Sequence, residues 1–138
     1  VPGEDMKGRK GKTPDYRVPL STEALRIIEL AKPHARNGFL FPNAQKGVIS
    51  DMTLSRHMER RGLEARPHGF RTSLRTWIAE TTDTPHEVAN WMIAHVTDSV
   101  VVRTYRKTDF LEQRRVLAQR WADYVTGGAG QVVKLVEV

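Results

Sequence analysis

Apolar residues recur at helical intervals along this 138-residue chain. The clearest stripe holds Phe70, Leu74, Trp77 and Ile78, spaced i, i+4, i+7 and i+8, and predicts an amphipathic helix with this stripe toward a core. Pro67 suits the first position of that helix, because the N–H that proline lacks would have no helical partner there.

Capping residues and helix breakers predict further elements. Ser21 caps a helix that ends at Ala31, with Leu25 facing inward, and Gly62 ends a second helix. The predicted ranges of the further helices are 21–31, 50–61 (capped by Ser50 or Asp51), 84–94, 98–106 and 109–126. Residues 1–20 contain a turn-rich, charged stretch that indicates a β-hairpin. The fold class is therefore α+β and mainly helical, with an N-terminal β-hairpin followed by about six helices.

The last predicted helix is the longest. Its inward-facing positions are Phe110, Leu117, Trp121 and Tyr124. Gly127 and Gly128 end it, and the segment QVVKLVEV that follows is β-prone and outside the helical pattern. This tail either folds back on its own subunit or docks on a neighbouring one.

Composition narrows the class of protein. No apolar run approaches the roughly 18 residues that span a membrane, so no membrane partner is predicted. Cysteine is absent, which excludes disulfides and suits a cytoplasmic protein. Twenty-two Lys and Arg against sixteen Asp and Glu leave a net charge of +6. The basic residues concentrate in 7–17, 56–75 and 103–120, which is compatible with a nucleic-acid partner and also with a merely basic, soluble surface.

A second face of the helix that begins at Pro67 carries cationic side chains. At 100° per residue, His68, Arg71 and Arg75 fall within about 60° of one another, on a face separate from the apolar stripe. Zinc is a poor explanation, because cysteine is absent and no two histidines stand at i, i+4 beside a carboxylate. The sequence contains no G-x-S-x-G turn, so serine hydrolase chemistry is not indicated. No metal or cofactor is therefore predicted.

Several short stretches, taken in order, match one known pattern. "HGFR", then "IAH", then a tyrosine ten residues on, followed by "RKTDFLEQRRVLAQRWADYV", resemble the catalytic domain of the tyrosine recombinases, in particular phage and genomic-island integrases. "MKGRKGKTPDYRVPLS" resembles the β-hairpin of that family. The resemblance implies a partial integrase catalytic domain over 1–126 and a separate β-prone tail over 127–138.

The resemblance also implies a role for each matching residue. Arg71 and His95 would hold the scissile phosphate, and Tyr105 would be the nucleophile that forms a 3′-phosphotyrosine. His68 resembles the proton-handling group. The lysine that protonates the leaving 5′-oxygen is Lys7, with Lys12 as the alternative. Arg75 would contact a neighbouring phosphate or form a surface salt bridge.

Three departures from the family pattern qualify the resemblance, the first being the long hairpin loop, because of which Lys12 competes with Lys7 for the lysine role. Ala94 stands before His95, where many relatives carry glycine. The family's first catalytic arginine lies upstream of the hairpin, and no residue here matches it, so we expect a C-terminal fragment that is inactive by itself. The implied partners are double-stranded attachment-site DNA and further copies of the parent protein in a recombination tetramer. A non-catalytic basic DNA-binding module and a type IB topoisomerase relative are the alternative functions.

Overall fold

The computed structural model describes residues 1–6, 15–45, 47–95 and 108–127. The chain divides into two compact units, one formed by Val1–Ala24 with Asp98–Val138 and the other by Leu25–Thr97. The described helices are α1 (Thr22–Ala31), α2 (Thr53–Arg60), α3 (Pro67–Thr81), α4 (His86–Met92) and α5 (Leu111–Val125). Two single 3-10 turns, Gly3–Asp5 and Lys32–His34, complete the helical structure of the described ranges. The predicted helix over 98–106 lies outside them.

Helix α1 begins where its cap predicts. The buried Ser21 hydroxyl accepts a hydrogen bond from the Ala24 N–H at 3.2 Å, which satisfies one of the free N–H groups of the first turn. The helix ends at Ala31, directly before the 3-10 turn that contains Pro33. Leu25 is exposed, so its predicted inward orientation is wrong. Helical spacing identifies a stripe of residues but not whether a neighbouring element covers it.

Helix α2 ends in the manner that its glycine predicts. Gly62 has a φ of +68°, in the left-handed region that glycine adopts without a steric penalty. Its N–H donates to the Glu59 carbonyl at 2.9 Å, and the Leu63 N–H donates to the Met58 carbonyl at 3.0 Å. The start is later than predicted, because the Ser50 hydroxyl accepts from the Met52 N–H and forms a turn ahead of the helix.

The core of the unit formed by 25–97 combines side chains from three helices. Its buried apolar residues are Met58, Trp77, Ile78, Val88 and Ala89. Trp77 and Ile78 confirm that the apolar stripe of α3 faces inward at its C-terminal half. Phe70, at the other end of the same stripe, is 58% exposed, so its predicted burial is wrong. The described chain between α1 and α2 forms two isolated antiparallel bridges, Arg36 with Phe39 and Pro42 with Val48.

The other unit pairs the start of the chain with the segment ahead of α1. The Val1 amino group donates to the Tyr16 carbonyl at 2.9 Å, and the Tyr16 N–H donates to the Val1 carbonyl at 2.8 Å. Such a reciprocal pair is typical of antiparallel strands. Residues 7–14, the loop of the predicted hairpin, lie outside the described ranges, and the complete hairpin therefore stays a prediction.

Helix α5 supplies the apolar core of this unit. Leu117, Ala118 and Ala122 are buried on one side of it. Tyr124 is 49% exposed and stacks on Trp121 with ring centroids 5.7 Å apart, so its predicted inward orientation is wrong. Gly127, with a φ of +77°, follows the last turn as predicted.

Candidate functional site

Helix α3 presents the predicted cationic face. Pro67 occupies the first helical turn, and the exposed His68 and Arg71 follow at the second and fifth positions. Arg75 is half-buried one turn further on. Among the described residues, the side chains of His68 and Arg75 form no hydrogen bond or ion pair. The face therefore carries donors that an anion can engage.

The loop ahead of α3 is organised by a single arginine. Arg66 Nη1 donates to the carbonyls of Leu63, Glu64 and Ala65, at 2.9, 3.0 and 3.0 Å. Its Nη2 lies 3.4 Å from a carboxylate oxygen of Glu59 on α2. Arg66 thereby satisfies three consecutive loop carbonyls and holds the N-terminus of α3, where His68 lies, against the end of α2.

His95 is placed by the way α4 ends. The Ala94 N–H donates to the Trp91 carbonyl at 3.2 Å, and the His95 N–H donates to the Asn90 carbonyl at 2.9 Å. This is the hydrogen-bond pair that closes many helices whose next residue is left-handed. Ala94 fills that position with a φ of +53°, which costs a non-glycine residue about 1–2 kcal/mol. A glycine would adopt this conformation without that cost, so alanine at this position is strained.

The structure brings two of the predicted phosphate-binding residues together. Arg71 Nη2 lies 3.4 Å from His95 Nδ1, although 24 residues separate them. A guanidinium group has only donors, so this contact is a hydrogen bond in the tautomer that leaves Nδ1 free to accept and carries the imidazole proton on Nε2. Both side chains are exposed. The contact therefore places a planar guanidinium group and an imidazole side by side at the surface.

The remaining predicted site residues have different outcomes. Lys7, Lys12 and Tyr105 lie outside the described ranges. His68 shares the helix and the face of Arg71 but makes no side-chain hydrogen bond to Arg71 or His95 within the described part of the chain. Among the described residues no cluster of three His, Cys, Asp or Glu side chains is arranged to hold a metal ion. No described helix is long and apolar enough to cross a membrane.

One cluster in the other unit was missed by reasoning from the sequence. Arg114 has no exposed surface, and its guanidinium donates to the carbonyls of Asp109 and Arg17, each at 2.8 Å. The Asp109 carboxylate also pairs with Arg17, at 2.8 and 2.9 Å. The signal that could have found it is the register, since Arg114 precedes the buried Leu117 by three residues on the apolar stripe of α5.

The electrostatics of this cluster act on one carboxyl group. Burial alone would raise the pKa of the Asp109 carboxyl, but other contacts outweigh it. The hydrogen bond and the charge of Arg17, the charge of Arg114 and the Leu111 N–H together hold the pKa below its ordinary value of 3.8. Asp109 is therefore ionised at neutral pH and shared by two arginines.

Over most of its length the chain is similar to curated integrases of prophages and phages. Prophage integrase IntA of Escherichia coli (strain K12) is 34% identical over 139 residues, which cover 96% of this chain and 32% of that relative. The integrase of Shigella phage Sf6 is 28% identical over 127 residues, covering 87% of this chain and 31% of that relative. The integrase of Enterobacteria phage P4 is 26% identical over 137 residues, which cover 94% of this chain and 31% of that relative.

These similarities support the assignment of the chain to an integrase family. The chain spans about a third of the length of the relatives it matches. No protein-family model matches the chain. No solved structure matches it significantly.

Proposed function

We propose that this chain is the C-terminal catalytic part of a tyrosine-type site-specific DNA recombinase, an integrase of a phage or genomic island. The observation that carries the proposal is the contact of Arg71 with His95, since it brings together two exposed side chains, 24 residues apart, that the resemblance assigns to one phosphate. The similarity to proteins named integrases supports the same function.

The proposed reaction exchanges one ester bond for another. The Tyr105 oxygen attacks the scissile phosphorus, a tyrosine–phosphorus ester forms, and the bond from phosphorus to the 5′-oxygen breaks. The tyrosine proton passes to His68, and Lys7, or Lys12 in its place, protonates the leaving 5′-oxygen. The product is a 3′-phosphotyrosine and a free 5′-hydroxyl. Because the number of phosphate esters is unchanged, the reverse attack rejoins DNA without an energy source.

Arg71 and His95 stabilise the charge that develops in this reaction. The five-coordinate phosphorane carries more negative charge on its non-bridging oxygens than the ground state does. Arg71 donates two parallel N–H bonds to these oxygens, and His95 donates its Nε2–H. Preorganised donors of this kind cost no reorganisation when the charge appears. Arg75, one turn along α3, contacts a neighbouring phosphate.

The partners follow from this chemistry. The substrate is double-stranded attachment-site DNA, and the parent protein assembles on it as a recombination tetramer in the cytoplasm. The principal alternative is a basic module that binds DNA without cutting it. Binding alone needs the cationic residues but not the Tyr105 hydroxyl, so a covalent adduct separates the two functions.

The test is to trap that adduct. The integrase that contains this chain is incubated with a nicked attachment-site substrate whose cleaved strand cannot be rejoined, and a denaturing gel resolves protein–DNA adducts. We expect an adduct that Tyr105→Phe abolishes while DNA binding stays intact. Tyr124→Phe is the matched control, because Tyr124 is an exposed tyrosine at which the same hydroxyl is removed. An adduct that survives Tyr105→Phe would contradict the proposal.

A further inference from the structure

Arg114 is an unusual side chain because it is charged and has 0% of its surface exposed. Arginines are almost never fully buried unless they are paired. Its Nε donates to the Asp109 carbonyl at 2.8 Å, its Nη1 to the Arg17 carbonyl at 2.8 Å, and its Nη2 to the Asp109 carboxylate at 3.2 Å. The guanidinium carbon also lies 5.0 Å from the centre of the Tyr16 ring. The Arg114 side chain on α5 is thus hydrogen-bonded to two other segments of the chain, at Arg17 and at Asp109.

A second arginine ties the same two segments together. Arg17 donates from Nε and Nη2 to the two oxygens of the Asp109 carboxylate, at 2.9 and 2.8 Å. Asp109 in turn accepts from the Leu111 N–H at the start of α5, at 3.2 Å. Positions 17 and 109 are 92 residues apart, so this ion pair is a tertiary contact and not part of a local turn.

In the sequence, Asp109 and Arg17 are close to residues that the proposed function uses. Asp109 follows Tyr105 by four residues, and Arg17 follows Lys12 by five. Four residues span at most about 14 Å, so fixing the backbone at Asp109 limits where Tyr105 can reach. We propose that Arg114 is a positioning residue for the nucleophile, because it fixes the start of α5 against the end of the predicted hairpin. This inference rests on the proposed function.

The backbone between Asp109 and α5 is strained at Phe110. Phe110, between Asp109 and α5, has a φ of +55°, which is a rare conformation for a bulky residue. Such strain persists only where the surroundings overdetermine it. The Arg114 side chain holds the Asp109 carbonyl on one side of Phe110, and the Arg114 N–H holds the Phe110 carbonyl at 2.9 Å.

A lysine at position 114 keeps the charge but not the geometry. Its single ammonium nitrogen cannot reach two carbonyls and a carboxylate along the fork directions that a guanidinium offers. Arg115→Lys is the matched control, because Arg115 is the next residue of the same helix and its exposed side chain pairs only with Glu112 in the described structure.

The experiment compares single-turnover adduct formation and DNA affinity for the integrase that contains this chain. We expect Arg114→Lys to slow adduct formation about 100-fold, the scale of a small misplacement of reacting groups. Its dissociation constant for DNA should change less than about twofold, because Arg114 is buried and touches no phosphate. Arg115→Lys should change neither quantity. Amide hydrogen exchange should be faster at Tyr16 and Leu111 in Arg114→Lys only.

The outcomes separate this inference from the proposed function. Absence of any adduct in the wild type would overturn the proposed function, and with it a role for Arg114 in the reaction. An adduct that forms equally fast in Arg114→Lys and Arg115→Lys would overturn the positioning role alone. If Arg114→Lys does not fold, Asp109→Asn replaces it, since this variant keeps both backbone carbonyls that Arg114 binds and removes the shared charge. A folded Asp109→Asn variant with a wild-type rate would equally overturn the inference.

Discussion

The side chains of Arg71, on α3, and His95, which follows the end of α4, lie 3.4 Å apart, between Nη2 and Nδ1, although 24 residues separate them. The contact depends on two local features. The left-handed Ala94 after α4 sets the direction of the chain at His95, and Arg71 lies in the exposed N-terminal half of α3, ahead of the buried Trp77 and Ile78.

Replacing Arg71 by lysine keeps the charge but removes the fork. In the proposed integrase, we expect Arg71→Lys to slow strand cleavage by about 100- to 1000-fold, the usual loss for one transition-state donor. Arg75→Lys makes the same chemical change one turn away and should have little effect. Single-turnover cleavage of attachment-site DNA measures both rates. Equal losses would show that α3 is a general phosphate-binding surface without a special role for Arg71.

Ala94 offers a test of backbone strain beside the site. Because its φ is +53°, Ala94→Gly should stabilise the 138-residue chain by about 1 kcal/mol. The matched control is Ala79→Gly, an exposed position inside α3, where the same change should destabilise by a similar amount. Urea unfolding curves give both free energies of unfolding. A loss of stability at both positions would contradict the left-handed conformation of Ala94.

The pKa of Asp109 predicts a dependence of stability on pH. Its carboxyl has a pKa lowered from 3.8 in the folded chain, so the ionised form stabilises folding at pH values above the unfolded pKa. That contribution is lost as the pH falls below about 3.8 and through the folded pKa. We expect Asp109→Asn to be less stable than the wild type at pH 6 and to lose less stability on acidification. Thermal unfolding between pH 6 and pH 3 measures the difference.

The control for this experiment is Asp83→Asn. Asp83 is an exposed carboxylate without a side-chain hydrogen bond in the described part of the chain. Its substitution should leave the pH profile of the unfolding temperature unchanged. A profile of Asp109→Asn that is parallel to the wild type would show that the Arg17–Asp109–Arg114 cluster contributes no pH-dependent stability.

Local rules predicted the helix boundaries that depend on one residue. Pro67 at the start of α3, the Ser21 cap of α1 and Gly62 after α2 each act through their own backbone or hydroxyl group, and the structure confirms them. The apolar stripes were predicted less well. Phe70 and Tyr124 belong to their stripes by spacing, yet they are exposed, because burial depends on the element that packs opposite.

Tertiary relationships between distant residues could not be predicted from periodicity. The proximity of Arg71 and His95 was expected only from the resemblance to tyrosine recombinases, since no local rule relates α3 to the end of α4. Arg114 was missed altogether. A charged residue on an apolar stripe has no visible partner in the sequence, because its acceptors at Arg17 and Asp109 include backbone carbonyls that every residue carries.

The 138-residue chain alone should bind DNA weakly and should not cleave it at the rate of a whole integrase. The resemblance implies a further catalytic arginine that no residue of this chain matches, and loss of one such donor costs about 100- to 1000-fold. Affinity should fall steeply with salt, because exposed arginines and lysines act on phosphates by releasing counterions. Incubation of the purified chain with nicked attachment-site DNA at low salt tests this, with Arg71→Lys as the background level. A Tyr105 adduct that forms as fast as in the whole integrase would show that the chemistry needs no further arginine.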